Sequence, residues 1–519
     1  MAGRPLREPL LAAAAADAAP DRLPSRRSSC GAPGGSSGAV SVVVEEEGED
    51  ARSGCSGGGG VPQQGDTFNI CAFNLSKVIL GAGLMAMPKA MFLLGVVPGT
   101  FLMVAIGLLT HYTLATGLIA SSDRLGAKSY AALVSRTLGV RAEGLLQLSV
   151  FVTCWVMEVV FLVVIADILV GHPPDFHGLI SELTGATGRA ASSRPLVLGV
   201  LCAFVLLPLG SMRSMEHLAT VNIIGVASNA VFALLMLVLL AAACARGLAV
   251  PPPLMPRWGE LSREAGGGVG AALVLASTAP IILSCFTCHQ SLHPLLPSLR
   301  PYTTRRAQGV VATSLAIAGV LYYVISLCAC AVFGPSLHDD ILTDATAARM
   351  APILGSEAAA RGAALVVRAG YLLSLTGSFL LLLFPLRHVL GEVLLGGHEE
   401  LAASSNRRWL GATAALTGTA YATACFLPGI WGALSLVGAT AATAQAWIIP
   451  SLIILALDSK RLLSSGGGGG GGAEAGPAAA AGAGSGAAGW ARARRRGAAG
   501  VILVVGVFMF AQAFVGAFL

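Results

Sequence analysis

The stretch Thr67–Leu94, TFNICAFNLSKVILGAGLMAMPKAMFLL, decides the architecture that the rest of the chain must fit. It is long and apolar enough to cross a lipid bilayer, which takes about 20 residues at about 1.5 Å each. Its middle reads Gly81-Ala82-Gly83, and a glycine costs about 1 kcal/mol relative to alanine inside a helix. Pro88 removes a further backbone donor. We therefore predict two half-helices, near 70–80 and 84–93, with a break between them.

A broken membrane helix is tolerated where the freed backbone lines a cavity or is buried in protein. Interrupted spans of this kind surround the solute sites of secondary transporters, and the positive N-terminal end of the second half-helix suits a carboxylate. Close packing of helices through small residues is an alternative explanation that stays open. A dinucleotide fingerprint is excluded, because it needs a soluble unit with an acidic residue about 20 positions on. Here another apolar span follows, and the next acidic residue is Asp123.

The composition indicates a polytopic membrane protein surrounded by the lipid bilayer. Of its 519 residues, 55% are hydrophobic and 12% are charged, whereas soluble domains have about 25% charged residues. The net charge of +6 does not indicate a nucleic acid partner, because the basic residues lie mostly in short loops and tails. Most of the 11 cysteines lie inside apolar runs, so no disulfide framework is predicted.

Apolar runs predict an all-α fold with about eleven transmembrane helices. In order they are 67–94, 97–119, 144–170, 195–210, 218–245, 269–292, 309–333, 363–386, 409–427, 429–457 and 498–519. The predicted organisation is a disordered tail, a core of ten helices, a flexible Gly/Ala-rich linker with a basic end, and an eleventh helix, at 1–65, 66–457, 458–497 and 498–519. Lys and Arg are concentrated in alternate connections, which predicts a cytosolic N-terminus.

The sixth span repeats the pattern of the first. It contains Pro280, a polar Ser284-Cys285 pair, and then Pro294 and Pro297. Broken first and sixth spans predict two five-helix halves that form an inverted repeat, with the eleventh helix as an addition.

The same span contains patterns that mimic a cofactor site. Cys285, Cys288 and His289 match a c-type haem attachment pattern, and His293 extends it to a metal-like cluster. Haem attachment needs an exposed site in an oxidising compartment, and structural zinc needs four converging ligands. We therefore predict neither a metal nor another cofactor, and no nucleophile–base set indicates an enzyme.

Four separated motifs resemble the amino acid/auxin permease superfamily, which includes sodium-coupled neutral amino acid transporters and vacuolar amino acid transporters. They are Phe73-Asn74-Leu75-Ser76 through Gly83, Cys288-His289 with Pro294-Leu295, Phe333-Gly334-Pro335 with Asp339-Asp340, and Phe384-Pro385-Leu386-Arg387. The likeness covers about residues 66–457. It implies a leucine-transporter-type fold, with the amino acid bound between helices one, three, six, eight and ten.

The resemblance also implies a set of site residues. Backbone amides at the first break would bind the substrate carboxylate, and polar groups of the sixth span would flank its amino group; these substrate-binding residues are Gly81, Ala82, Gly83, Leu84, Ser284 and Cys285. Thr376 and Ser378, with Asn74 and the first-helix backbone, would hold a coupling sodium ion. The alternative that such hydroxyls only bond their own helix stays open.

Lys77 departs from the sodium-coupled relatives, many of which have Asn there. A lysine near the bilayer centre is costly and is a functional candidate. Its ammonium would replace the sodium ion or titrate as a proton site, and we predict that it pairs with Glu158 of the third span. In the alternative, Lys77 extends toward the membrane surface and Glu158 faces an aqueous vestibule.

The expected function is secondary active amino acid transport by alternating access, as a symporter or antiporter coupled to H⁺ or Na⁺. A vacuolar or other endomembrane location is favoured, with the plasma membrane as an alternative. A non-transporting amino acid sensor on the same fold is the alternative function. The sequence indicates neither the preferred amino acid nor an oligomeric state.

Overall fold

The computed structural model describes residues 67–81, 83–172, 176–185, 188, 192–212, 218–395, 405–427, 429–466 and 484–518. The predicted tail at 1–65 and the predicted site residue Ala82 lie outside these ranges.

The described chain is almost entirely helical. The first half contains α1 (Phe68–Ile79), α2 (Gly83–Leu94), α3 (Val96–Tyr112), α4 (Ala120–Leu125), α5 (Tyr130–Leu138), α6 (Val140–Val170), α7 (Leu179–Thr184), α8 (Arg194–Leu201), α9 (Leu207–Gly210) and α10 (Leu218–Ala245). A two-stranded antiparallel hairpin, β1 (Gly171–His172) and β2 (Phe176–His177), follows α6 and pairs Gly171 with His177. Short π-helical segments at Thr113–Ile119 and Cys202–Leu206 join α3 to α4 and α8 to α9.

The second half continues the same pattern. It contains α11 (Trp258–Glu264), α12 (Gly268–Phe286), α13 (His289–Leu295), α14 (Thr304–Phe333), α15 (Ile341–Asp344), α16 (Ala347–Leu354), α17 (Glu357–Leu395), α18 (Asn406–Phe426), α19 (Trp431–Val437), α20 (Ile449–Gly466) and α21 (Gly484–Phe518). Short 3₁₀ turns occupy Leu296–Ser298 and Gly334–Ser336, and π-helical turns occupy Gly438–Ala442 and Ala444–Ile448.

The membrane spans agree with the prediction in part. Within the described ranges, eight helices are long and apolar enough to cross a membrane, or nine if the bent α1–α2 pair counts as one span. The predicted fourth span is the shorter apolar helix Arg194–Gly210, and the predicted ninth span, α18, is not among the eight. The chain is therefore an all-helical, multi-span membrane protein, while eleven spans and the inverted repeat stay predictions.

The predicted linker at 458–497 is helical at both ends. The helix α20 continues to Gly466 and α21 begins at Gly484, while residues 467–483 lie outside the described part of the chain.

The helices pack against one another in the interior and expose apolar residues on their outer faces. In the interior, α17 packs against α6 and α10, and α1 packs against α14 and α10. On α3, Val97, Phe101, Val104 and Leu108 recur on one face and are exposed. Such an apolar stripe suits contact with lipid. The predicted site residues of α1 and α17 lie among the interior contacts.

Candidate functional site

The first break lies where the sequence predicts it. The helix α1 ends at Ile79, α2 begins at Gly83, and the two bend by 62°. A helix that stops leaves carbonyl groups without intrahelical partners. Two tyrosines from other helices fill this need: the Tyr322 hydroxyl donates to the Ile79 carbonyl oxygen at 2.6 Å, and the Tyr371 hydroxyl donates to that of Gly81 at 2.9 Å.

The second break lies just after the predicted polar pair. The helix α12 ends at Phe286, Thr287 and Cys288 are non-helical, and α13 begins at His289. Pro280 lies within α12, so it does not itself form the break. This break also involves Tyr322, whose hydroxyl lies 3.1 Å from the Cys285 carbonyl oxygen.

The two breaks are packed directly against each other. A Cβ placed on Gly83 would lie 2.5 Å from the Cys285 Sγ, and one placed on Gly81 would lie 3.0 Å from the Phe161 ring. Any side chain at Gly83 would push the two broken spans apart, because real Cβ atoms do not approach other atoms that closely. The glycines therefore allow close packing, the alternative explanation that the sequence left open, and they do so at the break.

The predicted substrate-binding groups are engaged within the protein in this conformation. The Gly81 amide donates to the Ile79 carbonyl at 2.8 Å, and the Leu84 amide donates to that of Gly81 at 3.3 Å. The Ser284 hydroxyl donates to the Ile281 carbonyl of its own helix at 2.7 Å. Their roles toward a substrate stay predictions.

Lys77 lies on the side of α1 that faces α10 and α17. Its side chain is fully buried, and its Nζ donates to the Ser374 Oγ at 2.6 Å and to the Ser378 Oγ at 2.9 Å. Gly225 of α10 makes room for it, because a Cβ there would lie 2.6 Å from the Lys77 Cε. The ammonium thus occupies the neighbourhood in which Ser378 was expected to hold sodium.

The predicted Lys77–Glu158 ion pair is wrong for this structure. Glu158 is fully buried, and neither carboxylate oxygen has a hydrogen-bond partner among the residues that the structure describes. Glu158 interacts electrostatically with Arg387 of α17, but no hydrogen bond joins them. The pairing fails because Lys77 projects toward the serines of α17 and the small Gly225, and not toward α6.

The remaining predicted ion-site residues separate into two places. The Thr376 hydroxyl donates to the Leu372 carbonyl of its own helix at 2.8 Å, as the alternative explanation holds. Asn74 lines a cavity of about 600 Å³. The structure therefore brings together Lys77 and Ser378, but it does not bring Thr376 or Glu158 to them.

The cavity lies at one end of the helix bundle, called the cavity end below. Its walls come from α1, α5, α6, α13, α17 and α18. Most of its surface is apolar, and at its rim the Gln147 Nε2 donates to the Glu392 carboxylate at 2.6 Å. Val78 and Asn74 place this cavity directly beside the half of the first span that precedes the break.

The histidines of α13 lie within hydrogen-bond distance of hydroxyl groups from other parts of the chain. The His289 Nε2 lies 3.0 Å from the Thr113 Oγ1, and the His293 Nε2 lies 2.8 Å from the Ser122 Oγ. Within the described ranges, no three His, Cys, Asp or Glu residues are grouped so that they could hold a metal ion. The two histidines of these patterns therefore have hydroxyl partners within the fold, and the absence of a haem or metal stays a prediction.

Sequence reasoning missed three residues that the structure places at the site: Tyr322, Tyr371 and Ser374. Each carries a hydroxyl group inside an otherwise apolar run, and a buried hydroxyl needs a hydrogen-bond partner. That signal shows that a partner exists, but it does not identify a carbonyl or an ammonium that lies 37 to 297 residues away.

A family model described as transmembrane amino acid transporter protein matches residues 64–466. Amino acid transporter AVT6E of Arabidopsis thaliana is 29% identical over 394 residues, which cover 76% of this chain and 77% of the relative. Amino acid transporter AVT6C of the same plant is 28% identical over 400 residues, covering 75% and 86%. Vacuolar amino acid transporter 2 of Saccharomyces cerevisiae is 21% identical over 401 residues, covering 76% and 77%.

Among solved structures, the nucleobase-cation-symport-1 family transporter Mhp1 is similar at a TM-score of 0.46 and 11% identity, covering 86% of this chain and 92% of that one. Because this similarity is low, the architecture is inferred only from the helices of this chain itself.

Proposed function

This chain belongs to the transmembrane amino acid transporter protein family, and we propose that it moves amino acids across a membrane by alternating access. Its relatives are named amino acid transporters, so the chain is a transporter and not an enzyme. The match covers both broken spans and all the predicted site residues. The amino acid would bind between the breaks, at Gly81–Leu84 and at Ser284 and Cys285.

Alternating access is supported by the difference between the two ends of the bundle. At the cavity end, the cavity reaches Val78, which precedes Gly81 by three residues. At the opposite end, α15 packs over α2, and the Lys89 Nζ donates to the Leu337 carbonyl at 2.7 Å. The cavity would be the vestibule of a conformation that opens to one side of the membrane.

Protons are the coupling ion that we favour over sodium, and the hydrogen bonds of Lys77 carry this proposal. Its ammonium already takes the Ser374 and Ser378 oxygens, which are the kind of hard ligand that a sodium ion would need. Two like charges 4 Å apart repel by about 4 kcal/mol at an effective dielectric constant of 20. Sodium would therefore have to displace Lys77, whereas a proton can be carried by Lys77 or Glu158 itself.

The proposed location is a vacuolar or other endomembrane. The yeast relative is named a vacuolar amino acid transporter, and the excess of basic residues in alternate connections predicts a cytosolic N-terminus. Because α1 begins at the cavity end, the vestibule would then open to the cytosol.

The test is radiolabelled amino acid flux in proteoliposomes, with a proton gradient compared with a sodium gradient. We expect flux to follow the proton gradient in the wild type and to be lost in Lys77→Asn. The exposed Lys128→Asn is the matched control and should behave as the wild type. Sodium-driven flux in the wild type would contradict the coupling proposal. Binding of an amino acid without flux under either gradient would favour the sensor.

A further inference from the structure

Tyr322 is the one described side chain whose hydroxyl reaches both helix breaks. It lies on α14 with no exposed surface, and its ring packs edge-on against Phe286 with centroids 5.4 Å apart. Its hydroxyl oxygen lies 2.6 Å from the Ile79 carbonyl oxygen and 3.1 Å from that of Cys285. One side chain therefore joins the C-terminal ends of α1 and α12.

The Tyr322 hydroxyl and an ammonium group differ in the number of protons that they can donate to these two carbonyls. A phenolic hydroxyl has a single proton to donate, so it satisfies one of the two carbonyl groups fully at a time. An ammonium group has three, and it can donate to both carbonyls together. The Ile79 carbonyl also accepts the Gly81 amide at 2.8 Å, so the single Tyr322 proton is shared between a carbonyl that has another donor and that of Cys285. An ammonium at the same position could donate to both carbonyls at once.

We propose that the Tyr322 hydroxyl is a latch that competes with the ammonium group of an α-amino acid for the carbonyl oxygens of Ile79 and Cys285. The proposal rests on the proposed function, and it assigns to Tyr322 a role in the release of the bound amino acid. When an amino acid binds, its ammonium displaces the hydroxyl from the two breaks. When the vestibule opens, the hydroxyl returns to the carbonyls and lowers the cost of letting the amino acid go.

Tyr322 differs from two other tyrosines in the helix breaks that its hydroxyl contacts. Tyr371 donates to Gly81 alone, so it belongs to the first break. Tyr323 follows Tyr322 in the chain but is partly exposed on another face of α14. Tyr323→Phe is therefore the matched control for Tyr322→Phe, because both changes remove one phenolic oxygen from the same helix.

The first experiment measures equilibrium binding of tritiated L-alanine, L-glutamine and L-glutamate to purified protein, together with flux in proteoliposomes. A latch that competes with the ammonium opposes binding, so its removal should tighten binding of the transported amino acid by about two- to tenfold, the range expected for one hydrogen bond. The maximal flux of Tyr322→Phe should fall because release is slower, and Tyr323→Phe should match the wild type. Weaker binding in Tyr322→Phe would overturn the latch and leave Tyr322 as an ordinary packing contact.

A second measurement needs no substrate. The Cys285 thiol is buried against Gly83, where the breaks meet. Its alkylation by N-ethylmaleimide, quantified by peptide mass spectrometry, therefore reports how often the breaks separate. We expect alkylation of Cys285 to rise about two- to tenfold in Tyr322→Phe. It should stay unchanged in Tyr323→Phe, and buried Cys202 serves as the reference within each protein.

The two measurements distinguish failure of the latch from failure of the proposed function. If wild-type protein neither binds nor moves any of the three amino acids, transport of these substrates fails, and the Cys285 measurement still decides whether Tyr322 holds the breaks together. If Cys285 reacts equally fast in Tyr322→Phe and in the wild type, the latch is wrong whatever the flux.

Discussion

Asp344 and Glu158 are both fully buried carboxylates, yet the protein surrounds them very differently. Asp344 accepts the His338 amide at 2.9 Å and lies 2.6 Å from the His338 Nδ1, and Arg349 forms an ion pair with it. Burial raises the pKa of Asp344, and the hydrogen bonds from His338 and the charge of Arg349 oppose that rise. No hydrogen-bond partner of Glu158 is found in the described part of the chain.

The difference separates a structural charge from one that is available for function. A buried charge is retained in a stable fold when hydrogen bonds and an opposite charge compensate its lost hydration. Asp344 meets that condition and fixes the segment from α14 to α16, which includes α15, against α2 at the end of the bundle opposite to the cavity. Glu158 does not, because the charge of Arg387 acts on it but no hydrogen bond compensates its lost hydration. Inside a membrane protein, such a residue is a functional candidate.

The largest effect on stability is expected at Asp344, whose buried charge is compensated by both hydrogen bonds and an opposite charge. Arg349→Gln should lower the free energy of unfolding by about 3 kcal/mol, because it leaves Asp344 buried without its cationic partner. Unfolding in mixed detergent micelles measures this change.

Arg361→Gln is the matched control for that measurement. It breaks an ion pair with Glu357 whose side chains are 75% and 80% exposed, and exposed pairs contribute little. Equal stability of Arg349→Gln and the wild type would show that Asp344 is not held as a structural charge.

Lys77 is intermediate between Asp344 and Glu158, because it has hydrogen-bond partners but these are neutral hydroxyl groups. Replacing both Ser374 and Ser378 by alanine should destabilise the protein by about 2–3 kcal/mol, since hydrogen bonds to a charged group are stronger than neutral ones. The same double change in a Lys77→Met background should cost much less, because no ammonium is left unsatisfied. If the two backgrounds lose the same stability, the serines do not act through Lys77.

The sequence predicted the breaks better than it predicted their contacts. The glycines place the first break correctly because local backbone preference decides where a helix stops, whereas Pro88 lies within α2. The Lys77 contact was predicted wrongly because depth in the membrane does not fix the direction in which a side chain points. That direction depends on Gly225, whose missing side chain leaves space on α10. Such a contact between distant parts of the chain has no local signal.

The smallest stability effect is expected for the pair that the sequence predicted and the structure does not form. In a double-mutant cycle, Lys77→Met and Glu158→Gln should add within about 0.5 kcal/mol, as separated residues do. Glu158→Gln alone should leave the stability close to that of the wild type, because the amide replaces a carboxyl that has no hydrogen bond to lose. Proton-driven flux should nevertheless be lost in each single variant if both residues carry protons. A coupling energy of about 2 kcal/mol or more would mean that the two charges meet in another conformation, and Glu158 would then resemble Asp344 after all.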